Sequence, residues 1–229
     1  MYPELTEVMI FAAGFGTRMK KLTVSIPKPL IKVGSKTLID HTLSLLQKPN
    51  MTAIVNTHYK HELIRKHLRK YSNVTVIVEE PNIYETGGGL KNALPLIKSD
   101  TIFTLNSDSI YKGNNPLDIL EKAWDPTYME ALLLLAPQEK NLDHPKKGDF
   151  SIDQNNLLKR TNSGSIYTGA QIIKTNRFSK MNLTNFSLNI MWDKMISEKT
   201  IYGLEYSGSW IDVGTPVGIK KAEKLLKVP

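Results

Sequence analysis

Two periodicities alternate along the first half of the chain. Val8-Met9-Ile10-Phe11-Ala12-Ala13 is a short apolar run stopped by Gly14, which predicts a buried strand. Ala53–Thr57, the β-branched run Val74–Val78, Thr101–Leu105 and Met129–Ala136 predict four more strands. Between them, helical spacing predicts helices over 37–47, with Leu38, Thr42, Leu45 and Leu46 on one side, and over 60–71, with Ile64, Leu68 and Tyr71 in register. Further helices are expected over 88–97, ending near Pro95, and over 116–124, opened by Pro116. This β-α alternation predicts a Rossmann-like, doubly wound α/β fold with a mostly parallel sheet. Right-handed crossovers favour strand order 3-2-1-4, with the 129–136 strand next beyond. Ligands of such sheets sit at the carboxyl ends of strands where the order reverses, here in the loops from Gly14 and from Asn106 onwards.

From residue 137 the texture changes. A polar loop over 137–147 leads to strand-like pieces at 149–153, 157–160 and 165–173, with Gln154-Asn155-Asn156 as a hairpin turn. A helix over 188–198, a strand near 201–206 and a helix over 216–227 follow. No linker rich in Pro, Gly or Ser interrupts the chain. Residues 1–229 are therefore expected to form one domain, with a first half over 1–136 and a closing half over 137–229 that carries a small β-hairpin lid.

Composition narrows the function classes. The chain is 229 residues long with 41% hydrophobic residues, enough for one sizeable core. No apolar run approaches the roughly 20 residues that span a bilayer, and the acidic N-terminus lacks the basic region of a secretory signal. No membrane association is expected, and the cytoplasm is the expected compartment. The absence of cysteine removes disulfides, thiolate metal sites and a cysteine nucleophile. The net charge is +8, but only five of the 30 basic residues are arginines, and the lysines are scattered as singles and pairs. Without a basic stripe interleaved with aromatics, no nucleic-acid partner is expected. A general attraction for nucleotides and sugar phosphates remains.

The densest chemistry is Ala12-Ala13-Gly14-Phe15-Gly16-Thr17-Arg18, followed by Pro27-Lys28-Pro29-Leu30. Glycines after a buried strand let backbone amides approach a phosphate, while Arg18 and Lys28 supply positive charge for phosphoryl oxygens. The run is neither a P-loop nor a complete dinucleotide fingerprint. Asp108 ends the fourth strand at the switch point, where a carboxylate suits Mg²⁺ or caps a turn. Gly87-Gly88-Gly89 opens a helix, which suits either close approach of a base or anion, or a flexible turn. His58 and His61 have no further ligand nearby in sequence, and Met191, Trp192, Met195 and Ile196 fit the apolar face of a helix.

Taken together, Gly-x-Gly-Thr-Arg, a short spacer and Pro-Lys resemble the signature of the sugar-phosphate nucleotidyltransferases. Glu85-Thr86-Gly87-Gly88-Gly89, Gly148-Asp149-Phe150 and Trp210-Ile211-Asp212-Val213-Gly214-Thr215 extend the likeness in order from about Val8 to Leu226, and look most like the N-acetylmuramate α-1-phosphate uridylyltransferases. The resemblance implies nucleotide binding in the half over 1–136 and sugar binding in the half over 137–229. It implies Mg²⁺ on Asp108 and Asp212, with two catalytic cations, Lys28 on the reacting phosphates and Arg18 on the leaving ones. It implies nucleotide binding by Ala12, Ala13, Gly14, Gly16, Thr17, Lys28, Thr86, Gly87 and Gly88, and sugar binding by Asn106, Gly148, Asp149, Thr168 and Gly169. Ser107 departs from the glycine frequent in these enzymes. The implied reaction joins UTP to N-acetylmuramic acid 1-phosphate for cell-wall recycling, in a monomer or weak homo-oligomer. The alternatives are GTP with mannose or heptose 1-phosphate, CTP with phosphocholine, or a nucleotide-binding regulatory module without catalysis. A glycosyltransferase is disfavoured because Asp108-Ser109-Ile110 lacks a second acid.

Overall fold

The computed structural model describes residues 4–140 and 148–227. In chain order the strands are β1 (Glu7–Phe11), β2 (Lys32–Val33), β3 (Lys36–Thr37), β4 (Thr52–Thr57), β5 (Val74–Val78), β6 (Thr101–Asn106), β7 (Ser109–Lys112), β8 (Ala131–Ala136), β9 (Phe150–Ile152), β10 (Leu158–Arg160), β11 (Ile166–Lys174), β12 (Ile201–Glu205) and β13 (Ser209–Asp212). The α-helices are α1 (Leu38–Leu43), α2 (His61–Leu68), α3 (Glu85–Ala93), α4 (Pro116–Ala123), α5 (Leu188–Ser197) and α6 (Pro216–Lys227). Most of the expected loop over 137–147 lies outside the described residues. No helix among the described residues is long and apolar enough to cross a membrane.

Seven strands form one sheet in the order β12-β8-β11-β6-β1-β4-β5. The expected 3-2-1-4 core is present as β5-β4-β1-β6, all parallel. The expected neighbour of β6 is corrected. It is not the 131–136 strand but β11, which runs antiparallel to both β6 and β8. The physical reason is burial: β11 is enclosed along almost its whole length, and an interior place satisfies both of its edges. β8, Ala-Leu-Leu-Leu-Leu-Ala, is buried at every position. Leu132, Leu134 and Ala136 enter one core layer with α1, α2 and α4, whereas Ala131, Leu133 and Leu135 enter the other with α3 and α5. A continuous apolar run is what a strand covered on both faces requires.

Three two-stranded ribbons complete the fold. β9 and β10 form the expected hairpin. The sequence pattern missed β2–β3 and the β7–β13 ribbon, in which Asp212 pairs with Ser109. A third apolar cluster, containing Met19, Ile31, Val33, Leu38, Ile110, Val213 and Ala222, packs these ribbons against α6.

Candidate active site

The loop leaving β1 and the loop leaving β6 meet where the sheet order reverses. They line an open cleft of about 230 Å³ that includes Ala12, Gly14, Thr17, Arg18, Lys28 and Asp108. Gly16 also lines it and has φ of 65°. A Cβ there would lie 2.9 Å from Lys28 Cβ and 3.0 Å from Thr23 Cγ2. The second glycine of the loop is thus fixed both by a left-handed turn and by the lysine stem packed on it. This contact supplies a structural reason for the two halves of the motif to occur together. Ala13 is buried behind the loop.

Two ion pairs cross the cleft. Lys28 Nζ bonds Asp108 Oδ2, with the two side chains only 12% and 22% exposed. Arg18 Nη1 lies 3.8 Å from Asp212 Oδ2, and a Cβ on Gly214 would strike the Arg18 guanidinium at 2.8 Å. Asp108 and Asp212 are a hundred residues apart in sequence, but the β7–β13 ribbon joins them. Asp212 lies in register with Ser109, and Val213 N donates to the Asp108 carbonyl at 2.8 Å. Among the described residues, no group of three or more His, Cys, Asp or Glu is arranged to hold a metal.

The glycine run lies inside α3, which begins at Glu85 rather than at Gly88. Its missing side chains face protein. A Cβ on Gly87 would lie 2.5 Å from the Phe186 ring, one on Gly88 2.1 Å from the Thr184 carbonyl oxygen, and one on Gly89 2.7 Å from both Asn56 Nδ2 and Glu79 Oε1. Gly88 N donates to Phe186 O, and Thr86 Oγ1 accepts from Leu188 N. The run is thus explained by tight packing, of Gly87 and Gly88 against residues 184–188 and of Gly89 against Asn56 and Glu79, not by a flexible turn.

None of the expected sugar residues lines this cleft: Asn106 ends β6, Gly148 and Asp149 precede β9, and Thr168 and Gly169 lie in β11. The Asn106 side chain covers Gly169, where a Cβ would lie 2.7 Å from Asn106 Cβ. Gly169 has φ of 90° and sits in an irregularity of β11. Asp149 Oδ2 accepts from Tyr167 N at 3.0 Å, and Gly148 packs directly on the Gly164 backbone. Thr168 is buried, and its hydroxyl donates to the Leu134 carbonyl at 2.8 Å. Its own carbonyl accepts from Ser109 Oγ and Tyr111 Oη, so this residue ties β11 to β7. Sequence reasoning missed Asn56 and Glu79, and marked Gly214 only as part of the 210–215 segment. The one signal for the first was a polar side chain at the end of an otherwise apolar strand, Ala53-Ile54-Val55-Asn56.

A parallel sheet with a glycine loop, two cations and two carboxylates at its switch point defines an α/β enzyme that handles phosphate groups. The family model described as "Nucleotidyl transferase" matches residues 7–143, and the chain belongs to that family. The chain is 34% identical over 231 residues to an N-acetylmuramate alpha-1-phosphate uridylyltransferase of Caulobacter vibrioides, covering 95% of this chain and 96% of the relative. It is 28% identical to the protein of the same name from Neisseria meningitidis serogroup B, covering 96% and 97%. The fold matches the crystal structure of HddC from Yersinia pseudotuberculosis complexed with GMP-PN, with a TM-score of 0.79, 22% identity, and coverage of 97% of this chain and 100% of that one. The protein is a nucleotidyltransferase.

Proposed function

We propose that the protein transfers a uridylyl group from UTP to N-acetylmuramic acid 1-phosphate, releases pyrophosphate, and serves cell-wall recycling in the cytoplasm. The observation that carries the reaction class is the cleft in which Lys28 meets Asp108 and Arg18 meets Asp212. The choice of substrates is supported by the 34% identity across nearly the whole of the Caulobacter relative.

In this reading Asp108 and Asp212 hold Mg²⁺. Two partly exposed carboxylates, Asp108 in the turn before β7 and Asp212 at the end of β13, fit a cation that takes one or two protein carboxylates and completes its shell with water and phosphate oxygens. When bound, such an ion would supply positive charge to neutralise the phosphates. An oxygen of the sugar phosphate attacks the α-phosphorus in line. The new P–O bond forms as the bond to the β-phosphate oxygen breaks, and pyrophosphate leaves with that electron pair. The nucleophile is already ionised near neutral pH, so no side chain must remove a proton. Lys28 neutralises the reacting phosphates and Arg18 the leaving ones. The loop containing Gly14, Gly16 and Thr17 receives the triphosphate, while Ala12, Ala13 and the backbone of Thr86–Gly88 in the first turn of helix α3 enclose the base. Asn106, Gly148, Asp149 and the backbone of Thr168 and Gly169 face the sugar. Positioning and charge neutralisation carry the rate.

The test is pyrophosphate release with Mg²⁺ across four nucleoside triphosphates and a panel of sugar 1-phosphates plus phosphocholine. A signal confined to UTP with N-acetylmuramic acid 1-phosphate is expected. A signal with GTP and mannose or heptose phosphate, or with CTP and phosphocholine, would retain the mechanism and replace the substrates. Nucleotide binding without pyrophosphate release from any pair would leave a binding module.

A further inference from the structure

A chain of hydrogen bonds joins the loops leaving β1 and β5, two strands that β4 separates in the sheet. Ala12 N donates to Asn56 Oδ1 at 2.9 Å. Asn56 Nδ2 donates to Glu79 Oε1 at 2.6 Å. Glu79 Oε2 accepts from Tyr84 N at 2.7 Å. Glu79 is fully buried, and Gly89 has no side chain where Asn56 and Glu79 pack. The backbone of Glu79 is fixed as well: its N–H donates to Thr57 O, and His58 Nδ1 lies 2.7 Å from its carbonyl oxygen.

The direction of these bonds restricts what can stand at position 79. Donors arrive from both ends, from Ala12 through the Asn56 amide and from Tyr84 directly. Only a group that accepts on both oxygens closes the chain, and an ionised carboxylate does so. Burial pushes the Glu79 carboxyl upward, opposed by the bonds from Tyr84 and Asn56 and by the nearby His58. A buried carboxylate that forms no salt bridge to Lys or Arg among the described residues is an unfavourable choice unless its two bonds are needed.

We propose that Glu79 is a positioning residue that couples the phosphate loop at Ala12 to the turn at Tyr84, so that both walls of the nucleotide pocket keep one fixed separation. The inference deepens the nucleotide-binding reading above and rests on it for its consequence in affinity.

The test uses Glu79→Gln and the double variant Asn56→Asp/Glu79→Gln. In the single variant one donor must face another, either at Asn56 or, if its amide turns over, at Ala12. In the double variant every bond is restored with the polarity of the middle one reversed. Ala12 N then donates to the carboxylate introduced at position 56, which also accepts from the amide introduced at position 79. The carbonyl oxygen of that amide accepts from Tyr84 N. Two readouts are taken on the full chain: calorimetric affinity for each of the four nucleoside triphosphates with Mg²⁺, and amide exchange at Ala12 and Tyr84 without nucleotide. Glu79→Gln is expected to weaken nucleotide binding about tenfold and to speed both amides by a similar factor. The double variant is expected to recover most of each loss. A single variant with unchanged affinity and exchange overturns the proposal, as does a double variant no better than the single one. If the wild type binds no nucleoside triphosphate, the functional reading fails and amide exchange alone decides the coupling.

Discussion

Lys28 reaches its carboxylate along a stem packed on Gly16 and leaves only 12% of its side chain exposed. A cation fixed in this way needs little rearrangement before it meets a phosphate, which is the physical content of preorganisation. Its partner Asp108 is set by the end of β6 and the start of the β7–β13 ribbon. Asp108→Ala is expected to lower turnover by about 10²–10³-fold while leaving the thermal transition cooperative. Full activity in that variant, measured by pyrophosphate release, would remove the assigned role. At this scale much of the site was legible. Arg18 and Lys28 stand in a spaced motif, Asp108 follows the expected fourth strand at the switch point, and Asp212 lies in the 210–215 segment. Glu79 was not legible, because an acid following a β-branched strand has the same local appearance whether it is exposed or buried. Its burial is set by Asn56 and Tyr84, which lie on separate elements. Thr168 illustrates the converse, a polar residue in an apparent pocket segment whose hydroxyl is committed to the sheet interior.

The elements carry their own consequences. α1 opens with a capping box in which Thr37 Oγ1 accepts from Asp40 N and Asp40 Oδ2 accepts from Thr37 N. Asp40 also accepts from Tyr71 Oη at 2.7 Å and meets His67 Nε2 at 2.8 Å, tying α1 to the end of α2. Burial raises the Asp40 carboxyl, but the bonds from Thr37, His67 and Tyr71 outweigh it and hold the carboxyl well below the ordinary range. A depressed folded value stabilises the fold above the unfolded carboxylate pKa of about 3.9, and that contribution is lost as pH falls towards the folded value. Asp40→Ala should therefore cost about 2 kcal/mol near neutral pH and flatten the acid limb of stability between about pH 4 and pH 2. Denaturant unfolding across that range checks both effects. In α3, a methyl group at Gly88 would lie 2.1 Å from the Thr184 carbonyl oxygen. Gly88→Ala is expected to destabilise the protein by about 1–3 kcal/mol, read as a lowered melting temperature. An unchanged melting temperature would mean that residues 184–188 do not clasp α3 as described. The sequence marked the glycines, but their partners Thr184 and Phe186 lie about a hundred residues downstream, out of reach of local pattern.

For the whole molecule, topology holds the two halves of the chain together. β11, from the second half, fills the place between β6 and β8, and Asp212 comes from the second half to lie beside Asp108. A fragment of residues 1–136 would expose the inner edges of β6 and β8 and lack one carboxylate. It is expected to give no cooperative melt and no dispersed amide spectrum, and a folded fragment would contradict this. The parallel core was readable because β-α alternation restricts it strongly. The insertion of β11 was not, since a strand's hydrophobicity records its burial but not its neighbours. Ribbons of two to four residues such as β2–β3 and β7–β13 leave no measurable periodicity. The paired charges in the cleft have a further consequence. The molecule carries a net charge of +8, yet the Lys28–Asp108 and Arg18–Asp212 pairs sum to zero where the substrate arrives. The cleft is thus an electrically quiet basin in a positive landscape. It favours a visitor that brings its own counter-charge, a polyphosphate already partnered by a divalent ion, over a bare polyanion. The apparent affinity for the metal–nucleotide salt should then change less than about threefold between about 0.05 and 0.3 M ionic strength, while inhibition by free inorganic polyphosphate fades much more steeply.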